Sequence, residues 1–149
     1  MARILITGMS GAGKSTLLDE LDRRGVTTVD TDYGGYVTAD GRWDVEMMEA
    51  LLAAHDELVV SGTVENQHDF RDRFLAVILL SAPVEVLIER VTQRTSNPYG
   101  RTSEQRDEIR RHTAEVEPLL RQGATLELDG GRPVGELADE VMALLRGAA

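Results

Sequence analysis

Gly8-Met9-Ser10-Gly11-Ala12-Gly13-Lys14-Ser15 is the stretch that decides how this chain is read. It matches without a gap the pattern in which two spaced glycines precede a lysine and a hydroxyl residue. Chemistry explains the spacing. Glycines let the backbone aim successive N–H groups inward at an anion. A helix beginning near Lys14 points its partly positive N-terminus at the same place. Lys14 can reach the β- and γ-phosphates of a nucleoside triphosphate, and the Ser15 hydroxyl offers a hard oxygen to Mg²⁺. The competing reading is a Gly-rich turn joining a strand to a helix. It leaves unexplained why the single lysine of the chain stands at position 14.

The flanks supply the context the motif requires. Arg3-Ile4-Leu5-Ile6-Thr7 reads as a strand ending at a glycine, and Ser15–Arg24 as a helix with Leu17, Leu18 and Leu21 on one face, stopped by Gly25. Further strands are expected over 26–30, 57–61, 75–80 and 124–128. Further helices are expected from Asp44, over 66–74, after Pro83, over 103–120 and over 133–145. Residues 75–80 form a continuous apolar run, which suits a parallel strand covered on both faces. Alternation of strand and helix predicts an α/β fold with a parallel sheet and helices on both faces.

Composition narrows the class. The 149 residues fit one domain, 1–149, and 42% of them are hydrophobic, enough for a core built mainly of Leu, Val, Ile and Ala. No cysteine is present, which excludes disulfides and thiolate metal sites. No stretch approaches membrane-spanning length and the N-terminal apolar run is too short for a signal peptide, so a cytoplasmic location is expected. The formal net charge of −10 argues against nucleic acid or an anionic membrane as partner. Anionic phosphates still need local cations. Six arginines between Arg90 and Arg111 (Arg90, Arg94, Arg101, Arg106, Arg110 and Arg111) supply them inside an acidic protein.

Residues Gly8–Thr16, followed by Val29-Asp30-Thr31-Asp32, resemble the shikimate kinase and nucleoside monophosphate kinase group of P-loop proteins. Leu87-Ile88-Glu89-Arg90 with Arg94 is similar to the helix entering the mobile lid of those kinases, and Asp129–Pro133 to the loop that passes the adenine. The resemblance implies a three-layer fold with a five-stranded parallel sheet in the order 2-3-1-4-5, ATP at the strand ends and a short lid near 95–102. It implies nucleotide contacts from Gly8, Ser10, Gly11, Ala12, Gly13, Lys14, Ser15, Thr16, Arg90, Arg132 and Pro133. It also implies that Ser15 and Asp30 stand on the metal side, with Asp32 on the substrate side. Two stretches depart from the pattern. Gly62-Thr63-Val64-Glu65-Asn66 stands where shikimate kinases carry three consecutive glycines, and Ser61 where monophosphate kinases usually have Asp. The acceptor is left open.

Asp30 and Asp32 end the second expected strand. One carboxylate there can support Mg²⁺ while the other receives a proton from an acceptor hydroxyl or holds it in line with the γ-phosphate; an ordinary Asp-initiated turn is the alternative. Arg90 and Arg94 share a helix face and can neutralise charge developing on the transferring group, with Arg101 joining from the lid; a solvated arginine face is the alternative. Gly62, Asn66 and Gln67 can fix an acceptor through their amides, or simply cap a short helix. Arg42 and Trp43 can flank the acceptor pocket, though Trp43 fits a loop anchor better. The three histidines, His55, His68 and His112, show no metal-ligand spacing.

The expected activity is an ATP- and Mg²⁺-dependent transfer of the γ-phosphate to a small-molecule hydroxyl, by a monomer or homodimer. The alternatives are a nucleoside monophosphate kinase and a regulatory NTPase without an acceptor. No guanine signature is visible, which tilts the nucleotide toward ATP.

Overall fold

The computed structural model describes residues 2–9, 11–93 and 102–147. Ser10, Arg94 and Arg101 lie outside them, as does the expected lid apart from Thr102. In chain order the elements are β1 (Ala2–Thr7), α1 (Lys14–Arg23), β2 (Thr28–Asp30), α2 (Val45–Ala54), β3 (Glu57–Ser61), a 3-10 segment (Gln67–Arg73), β4 (Ala76–Ser81), α3 (Val84–Thr92), α4 (Ser103–Gly123), β5 (Leu126–Asp129) and α5 (Val134–Gly147).

All strand pairings are parallel, in the order β2-β3-β1-β4-β5. The apolar run at 75–80 forms β4, an interior strand buried between β1 and β5, and β1 is the middle of the five, with Ile4 registered between Val59 and Ala76. Strand periodicity divides the core in two. Ile4, Ile6, Val59 and Ile78 face α1 and α5, where Leu17, Leu21, Leu137 and Val141 meet them. Leu5, Leu58, Val60 and Val77 face the other way onto Met48, Leu52, Trp43, Phe70 and Phe74. The chain leaves β1 toward β2 on one side and later crosses to β4 on the other. Crevices at the carboxyl ends of strands flanking such a reversal are where open α/β sheets bind ligands.

Local chemistry sets the boundaries. Gly25, at φ 90°, ends α1 in a Schellman turn: its N–H donates to the Asp22 carbonyl at 3.0 Å and the Val26 N–H to that of Leu21 at 3.1 Å. Val26 thus belongs to the helix stop, and β2 begins two residues later than the apolar pattern suggested. Asp44 caps α2 by accepting from the Met47 N–H at 3.1 Å. Thr102 and Gln105 form a capping box at the start of α4. That helix runs past Pro118 to Gly123, longer than expected. Pro118 cannot donate to the Ala114 carbonyl, but Ala114 is exposed and water can take the bond.

One tertiary knot shapes the loop after β2. Trp43 is fully buried, edge-on to Phe70 with ring centroids 5.5 Å apart. Its indole N–H donates to Thr31 Oγ1 at 2.9 Å, and Thr31 in turn donates to the Ser61 carbonyl at 2.8 Å. Gly62 lies against this pair: a Cβ there would sit 2.4 Å from Thr31 Oγ1 and 3.2 Å from the indole ring. Gly62→Ala is expected to destabilise the protein by about 1–3 kcal/mol through overpacking, measured as a lower urea midpoint at an unchanged m-value.

Candidate active site

The phosphate-loop motif occupies the turn from β1 to α1 as the sequence predicts. Gly8, Gly11 and Gly13 have φ of 153°, 88° and 105°. Gly13 is the N-cap of α1 and provides no side-chain hydrogen bond, so the first N–H groups of the helix are left to face an anion. That opening fits a phosphate group. Lys14 Nζ folds back on the Gly8 carbonyl and, at 3.3 Å, on that of Met9. Reaching a phosphate requires it to leave these two oxygens.

The loop floors an open cleft of about 1000 Å³, into which Lys14, Ser15, Thr16, Asp32, Thr63, Arg90 and Arg132 all project. Ser15 Oγ donates to Asp30 Oδ2 at 3.3 Å. A hydroxyl and a carboxylate side by side next to a phosphate cradle fit Mg²⁺, which keeps several waters and takes few protein oxygens. The other Asp30 oxygen accepts the Asp32 N–H at 3.0 Å, so the two carboxylates are placed by one another. Asp32 is open to solvent at the cleft, yet the neighbouring protein strips enough water to raise its carboxyl above the ordinary range. The charge of Asp30 adds to the rise, and Lys14 partly offsets it. A raised carboxylate is a better proton acceptor. Ser61, at the end of β3 beside Asp30, has a buried hydroxyl with no partner among the described residues.

On the opposite flank Arg90 joins two loops. Its guanidinium donates to the Gly11 carbonyl at 3.0 Å and to the Gly130 carbonyl at 2.9 Å. Gly130 lies so close to the phosphate loop that a Cβ would fall 2.4 Å from the Ala12 carbonyl oxygen. In this state Arg90 positions the loops around the cleft. Arg132 lines the same flank and is paired with Glu140, at 2.5 Å, and Glu136. Pro133 heads α5 and is not a lining residue; Val134 and Leu137, one step further, give this flank its apolar surface. Met9 and Gly130, inside the two loops the sequence marked, also line the cleft, as do Tyr33, Thr63 and His112, which were not anticipated. Adjacency to Asp32 and to Gly62 was the available signal for Tyr33 and Thr63; nothing local marked His112.

The acceptor residues expected after β3 need correction. Asn66 is buried, its Oδ1 accepting from Trp43 N at 2.8 Å and its Nδ2 donating to Trp43 O at 3.2 Å. Gln67 accepts from Val64 N at 2.9 Å and donates to Thr7 Oγ1 at 3.1 Å. Gly62 packs on Trp43, and Arg42 pairs with Glu65 at 3.6 Å away from the cleft lining. Both amides are occupied inside the fold: Asn66 anchors the loop after β2 through Trp43, and Gln67 ties its own turn to the end of β1. Asn66→Ala would leave two buried backbone groups of Trp43 unpaired and is expected to cost about 2–6 kcal/mol, from about 1–3 for each orphaned group. Equilibrium denaturation checks this; a neutral result would return Asn66 to the acceptor list.

A strand, a phosphate loop and a helix at the centre of a parallel 2-3-1-4-5 sheet define a P-loop protein with the kinase topology. The chain belongs to the AAA domain family (AAA_18), whose model matches residues 4–111. It is similar across nearly its whole length to solved structures of that topology. These include a shikimate kinase from Bacteroides thetaiotaomicron (TM-score 0.72, 20% identity, 97% of this chain and 98% of that one). A second is a shikimate kinase from Acinetobacter baumannii in complex with shikimate (0.67, 18%, 99% and 94%). A third is a gluconokinase from Sinorhizobium meliloti (0.62, 21%, 99% and 93%). At these identities the likeness is one of fold. A curated ABC transporter ATP-binding protein/permease, wht-1 of Caenorhabditis elegans, is 35% identical over 74 residues, 47% of this chain. The chain spans only 11% of that relative's length.

Proposed function

We propose that the protein is an ATP-dependent kinase that moves the γ-phosphate to a hydroxyl of a small molecule, with Mg²⁺ held by Ser15 and Asp30. The observation that carries this reading is the pair of adjacent carboxylates. Asp30 touches the hydroxyl of the phosphate-loop serine, and Asp32, with a raised pKa, opens on the cleft. The loop N–H groups and Lys14 bind the phosphates. Bound Mg²⁺ would neutralise charge on the phosphate oxygens. Asp32 takes the proton of the acceptor hydroxyl as that oxygen bonds to the γ-phosphorus; the bond to the bridging oxygen breaks and ADP leaves. Arg90 holds the base-side and phosphate loops together, and Arg94 and Arg101 are proposed to approach from the lid. Val134 and Leu137 offer an apolar surface to the adenine.

A monophosphate acceptor would call for a basic pair on the acceptor wall. The candidates are Arg42, which is engaged by Glu65, and the pair Arg71 and Arg73, the latter engaged by Glu49, and none of the three lines the cleft. The hydroxyl reading is therefore preferred. Among the described residues no helix is long and apolar enough to cross a membrane; a cytoplasmic enzyme without nucleic-acid or membrane partners is proposed, as a monomer or homodimer.

Lys14→Ala should abolish phosphoryl transfer, read as ADP release, in a protein that keeps its circular dichroism spectrum. Wild-type turnover would remove the phosphate-loop mechanism.

Asp32→Asn separates a kinase from a nucleotide switch. Nucleotide affinity should change little, while acceptor-stimulated ADP release falls by about 10²–10⁴. Asp30→Asn should also weaken Mg²⁺ dependence. In the wild type, kcat/KM should fall as pH drops through the raised pKa of Asp32, a limb lying above the ordinary Asp value of 3.8 and missing in the variant. Stability runs the other way. Ionising a carboxyl whose folded pKa is raised opposes folding, so its stabilisation is complete below 3.8 and is lost as pH rises through the folded value. Asp32→Asn should therefore be slightly more stable at neutral pH. Intact acceptor-stimulated release in Asp32→Asn would refute the assignment.

A further inference from the structure

The cleft is electrostatically divided. Its cations, Lys14, Arg90 and Arg132, stand on the phosphate loop and the base-side flank. The wall beyond the phosphate loop, where an acceptor must approach Asp32, is made of Asp32, Tyr33 and Thr63. Among the described residues it presents one carboxylate, one aromatic ring and one hydroxyl, and no cation. The amides that could have served an anion there are engaged elsewhere: Asn66 on the Trp43 backbone, Gln67 on Val64 N and Thr7. Thr63 Oγ1 donates to the Gly8 carbonyl at 2.6 Å.

Tyr33 is the unusual member. It is 74% exposed, the most exposed large hydrophobic side chain among the described residues, yet it lines the cleft directly beside Asp32. Its N–H donates to the Asp30 carbonyl at 3.2 Å, which ties its backbone to the carboxylate pair. Gly34 and Gly35 follow at φ 86° and 83°, turning the chain away and leaving the ring face uncovered. An open aromatic face beside a carboxylate suits the C–H face of a polyhydroxylated ring and attracts a cation, whereas it gives a carboxylate or phosphate no partner. A second negative charge a few ångströms from Asp32 would be repelled, and Lys14 only partly offsets that field.

We infer that the acceptor is a polyhydroxylated ring without an anionic group, neutral or amine-bearing, seated on Tyr33 with its reacting hydroxyl toward Asp32. This rests on the kinase reading and narrows it. Carboxylate-bearing acceptors such as shikimate and gluconate are disfavoured even though the fold is shared with proteins named for them.

Charge-matched acceptors test the inference. ADP release is measured with D-glucose, D-glucosamine and D-glucuronate, and with myo-inositol against quinate, each with ATP and Mg²⁺, using wild type, Tyr33→Ala and Tyr33→Phe. The neutral or amine-bearing rings should exceed their carboxylate counterparts by about tenfold or more in kcat/KM. Tyr33→Ala should raise the acceptor KM by about tenfold, the scale of one aromatic or cation–π contact. Tyr33→Phe should keep the wild-type KM, because the ring face and not the phenol carries the contact. The side chain is exposed, so neither variant should fail to fold. Preference for the carboxylate members, or an acceptor KM indifferent to Tyr33→Ala, overturns this inference and leaves the kinase reading standing. If no ring of any charge raises ADP release while ATP still binds, this inference falls; the kinase reading falls with it only if acyclic polyols and nucleosides fail as well.

Discussion

The constraint on which the rest of this structure depends is the absence of side chains where the phosphate loop meets its neighbours. A Cβ on Gly8 would lie 2.5 Å from the Leu80 carbonyl, one on Gly11 2.9 Å from the Leu87 carbonyl, and one on Gly130 2.4 Å from the Ala12 carbonyl. These are backbone-to-backbone approaches, which no rotamer change can relieve. Because they are open, the end of β4, the start of α3 and the loop after β5 all close on the turn between β1 and α1. Arg90 completes the closure by bridging the Gly11 and Gly130 carbonyls. Loops on which binding residues stand are usually the mobile parts of a fold. Here backbone contact with three neighbouring segments holds one of them in place.

The opposite wall is held by side chains. Trp43, Thr31, Ser61 and Asn66 form a buried polar knot at the ends of β2 and β3, with the indole N–H, the threonine hydroxyl and both ends of the amide satisfied. Such a network is worth most when complete, because each orphaned member would be costly in a low dielectric. Its function is indirect. Thr31 separates Asp30 from Asp32, so burying Thr31 turns both carboxylates outward to the cleft side, where Asp30 meets Ser15 and Asp32 stays open. Partial loss of water, with the neighbouring Asp30 charge adding to it, raises the Asp32 carboxyl above its ordinary range, so ionising it opposes folding.

Charge is distributed to match. The protein is acidic overall, with a formal net charge of −10, yet Lys14, Arg90 and Arg132 gather at the phosphate loop and the flank beside Gly130. Many other arginines are matched to carboxylates at the surface, as in the pairing of Arg121 with Glu117 and Glu127. Arg121, helped by the Ser81 hydroxyl, holds Glu127 down to about 2, so this link between α4 and β5 persists until the solution is strongly acid. Surface pairs of this kind contribute little to stability.

Much of this could be read along the chain. The motif at 8–15 settles the loop, because its spacing obeys the local geometry of a strand–turn–helix unit. Asp30 and Asp32 follow from position at a strand end, and Asp44 and Gly25 mark helix boundaries through caps that need only neighbouring residues. Other features belong to the tertiary structure alone. Asn66 and Gln67 look like free amides in sequence; only packing brings Trp43 and Thr7 to them across 23 and 60 positions. Tyr33 reads as one more loop residue until the cleft forms beside it, and His112, Val134 and Leu137 become cleft residues only when α4 and α5 fold back over the sheet. The phosphate site was legible because its donors are consecutive residues whose geometry the backbone dictates. The wall proposed for an acceptor was not, because it is assembled from side chains whose availability depends on which distant partner reaches them first.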